Sequence, residues 1–367
     1  MTPREVLRAS RPEAAHVQRL GDLVEASENP CMIVGAGADT PEGWAALQSL
    51  AELLGCPVYQ EPFGARAGFP QDHCLFAGHV PAIRRGARDR LDAFDLVLVV
   101  GTSFLRQYPY DDGLLVDERT TVAVVTADAT EAHRSPAQVV VLGTVAATIE
   151  DLAKHLVLRG RIAPEPTPAD AEAFVSENDV VAPLPGPMTA QRALELLARS
   201  IPATSVVLEE SPSSRPVLHS VVPARTNMGF LSAAMGGLGF ALPAAVGVRI
   251  ADPGRPVVAV VGDGSSLYNI QALWSAAHYD VGVLFVILNN GRYAIMDRLA
   301  EQAGGKPAWP AFTAIDFPAL TRAFGCESFQ IRDETEWTSF LAEVGPSLAT
   351  RTAPVVAVVG VVPDLEY

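Results

Sequence analysis

The feature that most constrains this chain is a pair of apolar runs, each of which ends in a polar turn containing glycine. Residues 257–261 lead into Gly-Asp-Gly-Ser at 262–265, and residues 283–288 lead into Asn-Asn-Gly at 289–291. Short runs of small and β-branched residues predict buried strands of a parallel sheet. Apolar residues at helical spacing between them predict a helix over 267–278. The sequence therefore predicts two strand ends, one helix apart, that each carry an oxygen ligand beside glycine.

Asp263 and Asn290 are the oxygen ligands at these strand ends. Mg²⁺ prefers hard oxygen ligands and often shares its coordination shell with phosphate oxygens. Gly264 lets the main chain approach an anion closely, and a helix that starts near Ser265 directs N–H groups and a positive dipole end toward it. Ligands bind at the carboxyl ends of the strands in such sheets. Because the chain lacks a G-x-x-x-x-G-K-S/T pattern, the sequence predicts a Mg²⁺–diphosphate site without a P-loop.

The order of these motifs resembles the sequence motif of thiamine-diphosphate (ThDP) enzymes, which opens on Gly-Asp-Gly and closes on Asn-Asn. Residues 233–248 and 262–293 are similar to benzoylformate decarboxylase and its relatives, and the resemblance extends over nearly the whole chain. It implies an α/β fold with two doubly wound parallel-sheet domains, a central Rossmann-like domain and a domain that binds the ThDP diphosphate. It also implies that ThDP and Mg²⁺ are the cofactors.

The resemblance also implies roles for individual residues. The Gly236 carbonyl would accept a hydrogen bond from the aminopyrimidine ring, and Leu238 would be the apolar wedge that bends the cofactor. Gly236 and Leu238 are therefore the catalytic residues that it places on this chain, since both set the conformation of the cofactor. The implied metal ligands are Asp263, the Asn290 side chain and the main-chain carbonyl of Arg292. The other implied cofactor contacts are Ser213, Gly264, Ser265 and Tyr293.

Strands that alternate with helices favour two doubly wound sheets. We expect a central domain over residues 1–158, a proline-rich linker over 159–187 and the diphosphate-binding domain over 188–367. In the first domain, Gly-Ala-Gly at 35–37 follows a strand and resembles the start of a dinucleotide fingerprint, but Thr40 stands in place of the third glycine. A tight turn is therefore favoured there over an NAD or FAD site.

The family's pyrimidine-binding domain, which carries the glutamate that protonates the cofactor ring, has no counterpart in this sequence. Glu61 and Glu210 lie in the wrong domains for that role. We therefore expect the chain alone to be inactive, and a separate small subunit, or a removed part of the same chain, to supply that domain. Since the sequence begins with Met1 near a domain boundary, a split enzyme is favoured, with a hetero-oligomer such as a heterotetramer as its assembly.

Residues 107–113 are the stretch that most resembles the family loop that sends a histidine to the active site, and Tyr108 stands in the histidine's place. A phenol with a pKa of about 10 cannot shuttle protons at neutral pH as imidazole does. Tyr108 is therefore either a catalytic residue or a packed loop tyrosine. The expected activity is decarboxylation or carboligation of a small 2-oxo acid or aldehyde. The alternatives are an acetolactate-synthase-like carboligase subunit and a non-catalytic ThDP-fold partner protein.

Charge and composition argue against other classes of protein. The net charge of −15 argues against nucleic-acid binding. No uncharged apolar run reaches the roughly 18 residues of a membrane span. The cysteines are scattered without CxxC pairs, which indicates a reduced, cytoplasmic protein. Near the predicted site, Ile295, Met296 and Leu299 favour a pocket for an apolar or aromatic acyl group, or a helix that packs on its own core.

Overall fold

The structure is a computed structural model that describes residues 11–104, 106, 111–165, 187–306 and 308–362. The chain divides into two compact units, Met1–Glu172 and Ala173–Tyr367. Each unit contains a six-stranded parallel sheet with helices between most successive strands, so the predicted pair of doubly wound α/β domains is confirmed. Most of the expected linker lies outside the described residues, and the expected domain boundaries remain a prediction.

The first unit has the strand order β3-β2-β1-β4-β5-β6, with every described pair parallel. The order reverses between β1 and β4, which makes their carboxyl ends the topological switch point of this sheet. The strands are β1 Pro30–Val34, β2 Val58–Gln60, β3 Phe76–His79, β4 Leu96–Val100, β5 Thr121–Thr126 and β6 Val139–Leu142. The helices are α1 Ala14–Ala26, α2 Pro41–Leu54, α3 Arg84–Leu91, α4 Ala129–Arg134 and α5 Val145–Leu158.

Local sequence accounts for the ends of α2, the helix after β1. The Thr40 hydroxyl accepts the N–H of Gly43 at 2.9 Å, and Pro41 occupies the first helical turn. Gly55 ends the helix in the left-handed conformation, with φ of 64°. Strands β1 and β4 are buried along their whole length, as expected for central strands that helices cover on both faces.

The second unit has the strand order β11-β12-β10-β9-β7-β8, again with every described pair parallel. Its order reverses between β7 and β9. The strands are β7 Val206–Glu210, β8 Phe230–Ser232, β9 Val257–Gly262, β10 Leu284–Asn289, β11 Glu327–Ile331 and β12 Val355–Gly360. The helices are α6 Ala190–Ser200, α7 Arg215–Val221, α8 Ala241–Ala251, α9 Asp263–Ser266, α10 Ala272–His278, α11 Ala294–Gln302, α12 Phe317–Ala323 and α13 Glu334–Val344.

The single helix predicted over 267–278 is wrong in its first half. Helix α9 ends at Ser266, and α10 begins only at Ala272. Between them, the Asn269 side chain donates to the carbonyl oxygen of Gly239 at 2.5 Å, so this segment is held by a tertiary contact rather than by helical hydrogen bonds. Trp274 is 51% exposed instead of facing the core, because α10 buries its other face.

Two short strands do not follow from the hydrophobic pattern. β3 has four residues, and β8 has three. Both strands lie at a sheet edge, where pairing with one neighbour defines them. Among the residues that the structure describes, every helix is too short or too polar to cross a bilayer.

Candidate cofactor site

The loops that follow four strands of the second sheet contain the predicted cofactor residues. β9 leads into residues 263–266, and its parallel neighbour β10 leads into 290–293. β7, on the other side of β9, leads into 211–214, and β8 leads into the glycine-rich turn 233–240. Because neighbouring parallel strands end at the same edge of a sheet, the four loops share this edge, at the point where the strand order reverses.

Asp263 joins the loop after β9 to the loop after β10. Its Oδ1 accepts the N–H of Gly264 at 2.7 Å, and its Oδ2 accepts the N–H of Gly291 at 2.6 Å. Burial raises the pKa of Asp263, and the hydrogen bonds from main-chain amides of the two loops act in the opposite direction. Within the part of the chain that the structure describes, Asp263 forms no ion pair, so it brings an uncompensated negative charge to this edge.

Asn290 and Arg292 lie on the loop after β10. The Asn290 Oδ1 accepts the N–H of Arg292 at 3.0 Å, which closes an Asx turn and fixes the direction of the amide oxygen. An amide oxygen has a second lone pair, so this hydrogen bond leaves acceptor capacity for a cation. The Arg292 guanidinium lies 3.6 Å from Asp297, on α11. The main-chain carbonyl of Arg292, rather than its side chain, is the group predicted to face a metal.

The donor set fits Mg²⁺ bound to a diphosphate. A buried carboxylate held by amides, beside an oriented amide oxygen, suits a hard cation that takes its other ligands from phosphate and water. A metal site whose ligands all came from the protein would need more charged side chains. The described residues contain no group of three or more His, Cys, Asp or Glu side chains that could hold a metal ion. The geometry therefore favours a metal that is bound together with its anionic partner.

Two aromatic rings cover Gly264. A Cβ atom at this position would lie 2.5 Å from Cε1 of Tyr293 and 2.8 Å from Cε2 of Phe312. The two rings meet edge to face with centroids 4.5 Å apart, and the N–H of Phe312 donates to the Gly291 carbonyl at 2.7 Å. Position 264 therefore requires glycine, because any side chain there would collide with the two rings. Phe312 is distant in sequence from both motifs, so the sequence gives no signal of its role.

Ser213 links the loop after β7 to the same site. Its hydroxyl accepts the N–H of Ile295, in the first turn of α11, at 3.0 Å. Ser265 is buried within α9. Ser213, Asp263, Gly264, Ser265, Asn290 and Tyr293 are thus brought to one sheet edge, which the sequence predicts for residues that follow neighbouring strands. Their roles toward a cofactor stay predictions.

The glycine-rich turn 233–240 has three residues in the left-handed region: Met235, Gly236 and Gly239, with φ of 63°, 73° and 91°. Glycine adopts such angles without strain, whereas Met235 does so at a cost. Leu238 is 37% exposed. Gly236 is half-buried, and the wedge role of Leu238 stays a prediction.

Glu210 anchors the end of this turn. Its carboxylate accepts the N–H groups of Gly239, Phe240 and Ala241, each at 2.7 Å, at the N-terminus of α8. Burial raises the pKa of Glu210, and these three hydrogen bonds act against that rise. A carboxylate engaged in this way caps a helix, which agrees with its exclusion as the catalytic acid.

A buried ion pair beside the turn was not found from the sequence. The Nε of Arg215 donates to Oε2 of the fully buried Glu209 at 2.8 Å, and the hydroxyl of Ser232 donates to the same oxygen at 3.1 Å. The signal that could have found it is the pair of glutamates at the end of the apolar strand β7. A charged residue in that position is buried and therefore needs a partner.

The other predicted residues are Tyr108 and three apolar residues of α11. Tyr108 lies outside the described residues, so its catalytic role stays a prediction. Ile295, Met296 and Leu299 lie on α11, where Met296 and Leu299 are exposed. A cavity of about 390 Å³ borders the loop after β10 and is lined in part by Asn290, Gly291 and Phe312.

Comparison with known proteins gives two family matches within this chain. Residues 17–152 match the thiamine pyrophosphate enzyme central domain, and residues 214–360 match the thiamine pyrophosphate enzyme C-terminal TPP binding domain. The second match contains all the predicted cofactor residues except Ser213, which immediately precedes it.

Individual relatives agree with these matches. A benzoylformate decarboxylase of Pseudomonas aeruginosa is 33% identical over 340 residues, which is 92% of this chain and 63% of the relative. The solved structure of a thiamine diphosphate-dependent 4-hydroxybenzoylformate decarboxylase of Rhodococcus jostii is 30% identical, with a TM-score of 0.87 over 99% of this chain and 67% of that one. An acetolactate synthase large subunit of Parasynechococcus marenigrum is 28% identical over 88% of this chain and 53% of the relative. The chain thus spans between about half and two thirds of these relatives' lengths.

Proposed function

This chain belongs to the thiamine pyrophosphate enzyme family, and on that premise we propose that it is the large subunit of a split ThDP-dependent 2-oxo acid decarboxylase or carboligase. In this proposal the chain supplies the Mg²⁺ and diphosphate site, and a small partner subunit supplies the pyrimidine-binding domain and its catalytic glutamate. The matched models are the central and C-terminal TPP binding domains of the family, which supports the cofactor-binding part of the proposal.

The observation that carries the proposal is the position of Asp263. Its carboxylate accepts amides from both the β9 loop and the β10 loop, so one side chain fixes the geometry of the two motifs that the family uses for its cofactor. With Asn290 and the Arg292 carbonyl it would hold Mg²⁺, which in turn would anchor the diphosphate. Gly264, Ser265 and Ser213 would contact the diphosphate from the neighbouring loops.

When bound, ThDP supplies an electron sink that stabilises the carbanion left when a bond next to a carbonyl is broken. This chain's part is to hold and shape the cofactor. The Gly236 carbonyl would accept the hydrogen bond of the aminopyrimidine, and Leu238 would support the bent conformation. Among the described residues, the buried Glu210 is committed to capping α8, so the acid that protonates the ring is expected on the partner.

The substrate class is a small 2-oxo acid or aldehyde. Decarboxylation is favoured by the benzoylformate decarboxylase relatives, and carboligation by the acetolactate synthase relative. An apolar or aromatic acyl group would suit Ile295, Met296 and Leu299 on α11. Tyr108 in place of the family's histidine favours a reaction that does not need an imidazole at that position.

The proposed location is the cytoplasm, and the proposed assembly is a hetero-oligomer such as a heterotetramer. Support for the location comes from the four cysteines, which are all free. Three of them are buried and one, Cys74, is exposed.

The test is native mass spectrometry of the chain co-expressed with candidate pyrimidine-domain chains, in the presence of ThDP and Mg²⁺. We expect a hetero-oligomer that retains ThDP and that releases CO₂ from, or joins, 2-oxo acids such as benzoylformate and pyruvate. A homo-oligomer that binds ThDP and turns over unaided would refute the split arrangement. A hetero-oligomer that holds ThDP only on its partner would instead favour the non-catalytic role.

A further inference from the structure

The turn that carries Gly236 is braced at both ends by consecutive residues of one strand. Glu209 and Glu210 end β7. Glu210 accepts three amides at the end of the turn, from Gly239 to Ala241. Glu209 holds the beginning of the turn, because the hydroxyl of Ser232, the residue before the turn, donates to Glu209 Oε2 at 3.1 Å. Between these two anchors lie the half-buried Gly236 and the exposed Leu238.

Arg215 completes the anchor at the beginning of the turn. Its Nε donates to Glu209 Oε2 at 2.8 Å, and its Nη2 donates to the Ser232 hydroxyl at 3.3 Å. The other oxygen of Glu209 accepts the N–H of Ser211 at 2.6 Å. The pair is therefore net neutral, largely buried and hydrogen-bonded on several sides, which is the arrangement in which a buried ion pair fixes one conformation.

The remaining nitrogen of Arg215 faces Gly236. A Cβ atom built on Gly236 would have Arg215 Nη1 as its nearest neighbour, at 3.6 Å, and no other atom of the described chain within 4 Å except its own chain neighbours. A Cβ atom on Gly237 would meet no described atom within 4 Å. The turn is thus open on one side, and the guanidinium is the neighbouring group on the other. Since Met235 adopts a positive φ at a cost, the turn needs contacts from its surroundings to keep its shape.

We propose that Glu209 and Arg215 are positioning residues that fix the turn carrying Gly236, so that its carbonyl is presented to the ring end of bound ThDP. The ligand in this inference rests on the proposed function. Neither residue needs to touch the diphosphate, which is predicted to bind at the Asp263 and Ser213 loops. The pair should therefore affect binding of the ring part of the cofactor and leave binding of its diphosphate part unchanged.

The test compares two probes on the purified full chain by isothermal titration calorimetry: Mg²⁺ with inorganic pyrophosphate, and Mg²⁺ with ThDP. The variant is the double substitution Glu209→Gln/Arg215→Met, which removes both charges and so leaves no buried charge unpaired. The control is Arg192→Met, which breaks another buried ion pair of the same unit, between α6 and α13. Amide hydrogen exchange of residues 233–238 is measured on the same proteins without ligand.

We expect the double variant to bind ThDP about tenfold more weakly, as for the loss of one hydrogen bond to the aminopyrimidine, and to bind pyrophosphate as the wild type does. Exchange in the turn should accelerate in the double variant and not in Arg192→Met. Equal losses for both probes, or an unchanged ThDP affinity in a folded double variant, would overturn the positioning role. If the wild type binds neither probe, the proposed diphosphate site is refuted. In that case, unchanged amide hydrogen exchange of residues 233–238 in the double variant would still overturn the positioning role of Glu209 and Arg215.

Discussion

Two turns of this protein have the same Gly-x-Gly pattern after a buried parallel strand, yet they differ in what they can bind. The first, residues 35–40, follows β1, and the second, residues 262–265, follows β9. Each lies at the carboxyl edge of its sheet, where ligands bind in such folds. The contrast shows which additional residues turn a glycine motif into a site.

Main-chain hydrogen bonds close the turn after β1. The amide of Gly37 donates to the Gly101 carbonyl at 2.7 Å, and the amides of Ala38, Asp39 and Thr40 donate to carbonyls within the turn. Its glycines serve close packing between two loops, because a Cβ on Gly37 would lie 2.8 Å from the Gly101 carbonyl oxygen. Amides that are already bonded are not available to cradle a phosphate.

The turn after β9 differs because a carboxylate, rather than a carbonyl, accepts its amide. Asp263 also accepts an amide from the next strand's loop, and it brings a charge that attracts a cation. The glycines are common to both turns. What distinguishes the turn after β9 is its acidic residue, Asp263, and the hydrogen bond of that residue to the loop after β10. The following predictions test this contrast, beginning with the largest expected effect.

Asp263→Ala should weaken Mg²⁺-dependent ThDP binding by at least about 100-fold, because it removes the only charged ligand of the predicted metal site. The measurement is calorimetric titration of the assembled protein. Asp316→Ala is the control, since Asp316 also accepts a main-chain N–H, as the cap of α12, outside the site. Unchanged affinity in Asp263→Ala would refute the metal assignment.

Gly264→Ala should destabilise the second unit by about 1–3 kcal/mol and weaken ThDP binding, because the new methyl group would press on Tyr293 and Phe312. Gly247→Ala, in the middle of α8 with no described atom within 4 Å of its Cβ position, is the control and should be neutral or slightly stabilising. Calorimetric unfolding with and without Mg²⁺–ThDP measures both effects. If Gly264→Ala behaves like the control, the aromatic rings do not confine this position.

Gly37→Ala should destabilise the first unit by about 1–3 kcal/mol without changing ThDP affinity, since the methyl group meets a main-chain carbonyl that cannot rotate away. Thermal unfolding and ThDP titration of the same preparation provide the two readings. A loss of ThDP affinity in a folded Gly37→Ala variant would contradict the contrast between the two turns.

Glu61→Gln should raise the stability of the first unit slightly at neutral pH. Burial raises the pKa of Glu61 above its ordinary value of 4.5, so the folded state holds this proton more tightly than the unfolded state does. The ionised side chain therefore costs stability above the folded pKa, and that cost disappears as the pH falls through the folded pKa toward 4.5.

The expected result for Glu61→Gln is a melting temperature above that of the wild type at pH 7.5 and a difference that shrinks as the pH falls. Glu61 is buried directly after β2, and its Oε2 has no hydrogen-bond partner among the described residues, so the amide forfeits no hydrogen bond at that oxygen. A difference that grows with acidification would mean that the carboxylate is stabilised in the folded state.

Much of the fold was predictable because strands and helices follow from local patterns. The apolar runs 257–261 and 283–288 form the buried strands β9 and β10, as the sequence predicts. The edge strands β3 and β8 were not predictable, since their pairing rather than their composition defines them. The break between α9 and α10 was missed for a similar reason, because Asn269 is held by Gly239 from another loop.

The sequence by itself determined the parallel sheets and the identity of the polar residues at their carboxyl ends, because apolar runs and the residues that end them are local properties. It thereby placed Asp263 and Asn290 at one edge. Only the tertiary structure decided which polar groups pair there: Glu209 with Arg215, and Asp263 with the amide of Gly291. Such pairs join residues from different loops, and their formation depends on how the strands are ordered and packed.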